Sequence, residues 1–114
     1  MCGFVGIWDP YIRENTYIRN MMNSLIHRGP DDSGVWEDIE KGIYLGHRRL
    51  SIIDTSYNAK QPMQSVCGKY VLVFNGEIYN FQEIKKLLPD ISFRSNSDTE
   101  VLLEALIHFG INKC

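Results

Sequence analysis

The sequence predicts an α+β fold for one globular domain. Three segments repeat apolar residues at helical spacing, and about five short apolar runs bounded by Gly, Pro, Asn or Asp read as strands. Composition sets the scale. Of 114 residues, 44% are hydrophobic and 23% charged, which suits a packed core in a single unit rather than a disordered chain.

Residues 2–8 are apolar apart from Gly3 and Gly6 and are expected to form a short buried strand, stopped by the turn pair Asp9-Pro10. Ile18, Met21, Met22, Leu25 and Ile26 then trace one face of a helix within residues 14–28, ended by Gly29-Pro30. Residues 34–37 and 43–49 read as a hairpin turned at Gly42. Residues 50–65 are loop-like and lead into the continuous apolar run 70–74, expected as a central strand. That strand meets a tight bend at Asn75-Gly76, followed by a short extended piece over 77–79. Asn80 with Glu83, and Ser97 with Glu100, have capping-box spacing for two further helices. The first carries Phe81, Ile84, Leu87 and Leu88 on its apolar side and stops before Pro89. The second is expected to bury Val101, Leu102, Ala105, Leu106 and Phe109 and to end at Gly110.

A net charge of −2 supplies no electrostatic attraction for nucleic acid or an anionic membrane, so the expected partner is a small molecule. Residues at the amino end lack the pattern of a signal peptide, and no apolar run reaches the roughly 18–20 residues of a membrane span, which places the chain in the cytoplasm. Cys2, Cys67 and Cys114 are too few and too scattered for a disulfide framework. Together with His27, His47 and His108 they show no zinc-site spacing, and no phosphate-binding glycine loop is present, so neither a metal nor ATP is expected on this chain.

Several residues carry a chemical reading beside a structural one. Cys2 directly follows the initiator methionine, whose removal would join a thiol and an α-amine in one residue. An α-amine titrates near 7.7–8.0 and a thiol near 8.5, so the amine can take the thiol proton; equally, cysteine is a common buried residue. Asn75-Gly76 is either a hairpin turn or a pair of donors, one side-chain amide and one backbone N–H, for an oxyanion. Arg48 and Arg49 are either an ordinary solvated pair of charges or, since neighbours on a strand point to opposite faces, one of them alone can face a pocket and grip a carboxylate. Asp98 suits a helix amino end by its charge alone, or serves as partner to a substrate ammonium.

The runs Met1-Cys-Gly-Phe-Val-Gly6, His27-Arg-Gly-Pro-Asp-Asp-Ser-Gly34, Gly46-His-Arg-Arg-Leu-Ser-Ile-Ile-Asp54, Phe74-Asn-Gly-Glu-Ile-Tyr-Asn80 and Ser97-Asp-Thr-Glu100 together resemble the glutaminase domain of asparagine synthetases. The resemblance implies the amino-terminal nucleophile hydrolase fold, an αββα sandwich, incomplete at the carboxyl end of residues 1–114. It implies Cys2 as nucleophile, Asn75 and Gly76 as oxyanion donors, Arg49 on the α-carboxylate of L-glutamine and Asp98 on its α-amine. Leu50, Ile52, Ile53 and Glu77 would line the same pocket. It further implies hydrolysis of glutamine to glutamate and ammonia for amide transfer to aspartate. ATP and magnesium are expected only in the absent synthetase portion, a candidate partner along with any chain that covers exposed sheet edges. A non-catalytic remnant, or a glutaminase serving a sugar or polysaccharide precursor, are the competing readings. The 114-residue chain alone is expected to lack appreciable activity, because the strands backing Cys2 and the Asn75 turn would be partly missing.

Overall fold

The computed structural model describes residues 2–50 and 57–114; Met1, Ile52 and Ile53 lie outside them. Three antiparallel strands form the main sheet: β1 (Gly3–Trp8), β2 (Asp32–Asp38) and β3 (Ile43–Arg49), in the order β1-β3-β2. The expected β2–β3 hairpin is present in full register from Asp32↔Arg49 to Asp38↔Ile43. Its turn closes at Gly42, whose φ of 65° is a left-handed conformation open to glycine at little strain.

Helix α1 (Thr16–Asn23) packs on one face of this sheet with Ile18 and Met22 buried. It is shorter than its apolar stripe, because residues 24–28 close as successive turns, leaving Met21 and Ile26 39% and 48% exposed. Strand β1 also departs from expectation. It is an edge strand that alternates inside and outside, with Phe4 51% and Trp8 83% exposed on the face away from α1.

The run 70–74 is not a central strand. Only Val71–Leu72 (β5) pairs, with Met63–Gln64 (β4), in a separate two-stranded ribbon. No hairpin follows it: Asn75 and Gly76 both lie outside the positive-φ region that a type I′ turn requires, and Glu77 and Ile78 join no strand. The backbone donors on either side are taken by side chains instead, as described below.

Helix α2 (Phe81–Lys86) starts at Asn80 without a side-chain cap; only the Asn80 carbonyl accepts, from Glu83 and Ile84. Leu88 beyond it is buried, whereas Leu87 is 63% exposed. Helix α3 (Asp98–Phe109) is capped by Ser97, whose Oγ accepts the Thr99 N–H at 3.1 Å, and it ends at Gly110. The reciprocal half of the box is redirected. Glu100, fully buried, accepts from the Arg94 N–H at 2.9 Å and from the Ser95 N–H and Oγ at 2.8 and 2.6 Å, so its carboxylate holds the preceding loop. Val101, Leu103 and Ala105 are buried, while Leu102, Leu106 and Phe109 are half-buried, a rotation of the expected face. Buried Glu104 accepts the Val66 N–H at 3.1 Å, which ties the β4–β5 ribbon to α3.

Candidate functional site

Antiparallel pairing of β1 with β3 sets Gly3 opposite Arg48 and so delivers Cys2 to the carboxyl end of β3. There the Leu50 N–H donates to Cys2 Sγ at 3.3 Å, and the thiol lies 3.5 Å from the Leu50 carbonyl oxygen. The Cys2 carbonyl accepts from Arg28 Nε at 3.3 Å. Contacts on both the side chain and the carbonyl therefore fix the position of the sulfur.

Strand alternation separates the two arginines. Arg48 turns toward α1, donating through Nε to the Met22 carbonyl at 3.3 Å and through a terminal nitrogen to Asn23 Oδ1 at 3.4 Å. Arg49 is on the other face, 9% exposed, and lines a cleft of about 100 Å³ together with Cys2, Leu50, Asn75, Gly76 and Asp98. Glu77 stands exposed at the same opening. Five of the expected site residues thus converge with Cys2 on one cleft, and Glu77 flanks it.

Asp98, 5% exposed in the first turn of α3, accepts the Ile78 N–H through Oδ2 at 2.8 Å. On the other side of the Asn75-Gly76 bend, the Phe74 N–H donates to Gln61 Oε1 at 2.6 Å. These two bonds explain why residues 73–78 do not continue as a strand: side chains take the donors that a ladder would need.

His47 shares the Arg49 face and lines the cleft, 1% exposed, with no hydrogen-bond partner at Nε2 among the described residues. Burial pushes its pKa down from 6.5 to about 4, and the Arg49 guanidinium adds to the shift; backbone hydrogen bonding at Phe74 and the Asp32 carboxylate work the other way. The ring is neutral at pH 7. The unfolded chain takes up this proton near pH 6.5, before the folded chain does. Stability is therefore full above that pH and falls as pH drops toward 4, by on the order of 3 kcal/mol. Urea unfolding at pH 7 and pH 5 is expected to reveal a loss in the wild type that His47→Gln lacks; an equal loss in both would contradict it.

His47, Gln61, Ser97 and Thr99 line the cleft without having been expected there. In the sequence His47 reads only as a possible metal ligand, although it lies two residues from Arg49 on the same strand face, a spacing that places them together. Among the described residues no group of three or more His, Cys, Asp or Glu is arranged to hold a metal, and no helix is long and apolar enough to cross a membrane.

Comparison with known proteins gives the family: the glutamine amidotransferase domain model matches residues 1–114, and the chain belongs to that family. It is 40% identical over 116 residues to asparagine synthetase [glutamine-hydrolyzing] 1 of Bacillus subtilis, a match that covers 96% of this chain and 18% of that protein. It is 34% identical to asparagine synthetase [glutamine-hydrolyzing] 1 of Arabidopsis thaliana, covering 98% of this chain and 19% of that protein. A third relative, amidase chry2 of Gibberella zeae, is 36% identical over 96 residues, covering 83% of this chain and 14% of that protein. The chain therefore spans less than a fifth of the length of these relatives.

Proposed function

We propose that this chain is the glutaminase part of a glutamine-hydrolysing asparagine synthetase. The carrying observation is the Cys2 thiol seated on the Leu50 backbone, beside a cleft shared with Arg49, Asn75, Gly76 and Asp98. In this reading Arg49 pairs with the α-carboxylate of L-glutamine through its planar fork, and Asp98 takes the α-ammonium. Removal of Met1 frees the Cys2 α-amine, which accepts the thiol proton. The thiolate attacks the side-chain carbonyl carbon, and the oxyanion that forms takes hydrogen bonds from the Asn75 amide and the Gly76 N–H. Collapse breaks the carbon–nitrogen bond, the α-amine returns the proton to the leaving nitrogen, and ammonia departs. Water then attacks the γ-glutamyl thioester, giving glutamate and the free thiol.

The finer fold is the amino-terminal nucleophile hydrolase sandwich, supported by the family match and by the exposed Phe4 and Trp8 face, which a second sheet would cover. Residues 1–114 are then part of one such domain in a cytoplasmic enzyme. In this reading ATP and magnesium serve a synthetase portion that amidates aspartate, the partner of this part.

Labelling tests the nucleophile. Cys67 is exposed, and its thiol pKa is lowered by a hydrogen bond with Ser65, 3.2 Å away, and by the Lys69 backbone. Iodoacetamide should therefore modify Cys67 readily, whereas a diazo-ketone analogue of glutamine should modify Cys2 alone, as read by peptide mass spectrometry. Equal modification of Cys67 by the analogue would refute the assignment.

A further inference from the structure

We infer that Gln61 is a positioning residue that braces the Asn75-Gly76 bend against the amino end of α3; as a statement about catalysis this rests on the glutaminase reading above. Gln61 Oε1 accepts the Phe74 N–H at 2.6 Å, and its Nε2 donates to Thr99 Oγ1 at 3.3 Å. The amide can lie only this way round, because the Phe74 N–H is a donor and must meet the oxygen. Thr99 is 4% exposed in the first turn of α3, next to Asp98, which holds the Ile78 N–H. The bend at 75–77 is thus clamped on both sides, by Gln61 before it and Asp98 after it, and both clamps are anchored at the start of one helix.

Gln61 also lies close against the main sheet. Its carbonyl stands directly against Gly34 of β2, where any Cβ would collide with it. A continuous path then runs from β2 through Gln61 to the bend on one side and to α3 on the other. Only a side chain with one acceptor and one donor at its end completes it; leucine would match the shape and leave the Phe74 N–H unpaired. Displacement of the bend moves the Asn75 amide and the Gly76 N–H together, and donors that miss the oxyanion lose most of their effect.

The test uses Gln61→Leu, Thr99→Val and Thr99→Ser in the protein at its full natural length. Hydrogen exchange at residues 74–76 is read beside the kcat and KM of glutamine hydrolysis. In Gln61→Leu, exchange at 74–76 should quicken about tenfold or more with β3 unchanged, and kcat should fall about 10²-fold while KM moves less than about fivefold. Thr99→Val should shift both readouts the same way by a smaller factor, and Thr99→Ser, which keeps the hydroxyl, should restore them. Exchange at 74–76 that stays at the wild-type rate, quickens equally throughout the domain, or quickens without loss of kcat overturns the brace. If Gln61→Leu fails to fold, the valine and serine pair at Thr99 decides by the same criteria. A wild type that lacks Cys2-dependent hydrolysis, yet loosens locally in Gln61→Leu, overturns the glutaminase reading and supports the brace.

Discussion

Exchange of Cys2 for alanine is expected to lower glutamine hydrolysis by roughly 10⁴-fold or more, the range seen when a covalent nucleophile is removed and only binding and oxyanion donors remain. The thiol at the cleft is held against two backbone atoms of Leu50. On the glutaminase reading its loss removes the acyl carrier, while Arg28, which bonds the Cys2 carbonyl, still holds the strand end in place. Glutamate release by the alanine variant, measured against unchanged thermal stability, separates chemistry from folding. Retention of even a tenth of the wild-type rate would rule out Cys2 as nucleophile.

The second large effect concerns binding. Arg49→Ala should raise the KM for glutamine by roughly 10²-fold or more, since truncation of one member of a buried charge pair costs about 2–5 kcal/mol. Arg49→Lys keeps the charge without the paired N–H geometry and should fall between. Arg48→Ala should leave KM within about threefold and instead lower stability by about 1 kcal/mol, because Arg48 bonds the end of α1 at Met22 and Asn23. Steady-state kinetics on the three variants checks the order; a larger KM change at Arg48 would invert the assignment of strand faces.

What the sequence discloses depends on where each backbone donor goes. The β2–β3 hairpin was accessible because alternation and Gly42 agree with a plain ladder, and α3 because Ser97 and Gly110 mark both ends in the standard way. The apolar run 70–74 misled for a definite reason. Apolarity reports that Val71 to Phe74 prefer an interior, but the Phe74 N–H is captured by Gln61 and the Ile78 N–H by Asp98, contacts made across 13 and 20 residues that no local pattern encodes. Glu100 illustrates the same limit: its capping spacing to Ser97 is correct, yet Arg94 and Ser95 take the carboxylate. In the site, Cys2, Arg49, Asn75, Gly76 and Asp98 were named from motif positions and do meet at one cleft. Ile52 and Ile53 lie outside the described residues, so their placement stays an expectation. His47 and Gln61 escaped because a polar side chain shows its partner only once distant segments are packed.

The position of β1 at the edge, paired among the described residues to β3 alone, bears on the order in which the molecule assembles. Strands β2 and β3 meet across a turn of a few residues, a low-entropy closure, whereas β1 must close a loop of some forty residues to find its place. During synthesis at roughly 5–20 residues per second, β1 therefore waits several seconds for β3 to emerge. In that interval Cys2 adjoins an unpaired segment, apart from Leu50. It meets Leu50 only when the sheet is completed, which keeps the sulfur away from the cleft until the nascent chain has folded around it.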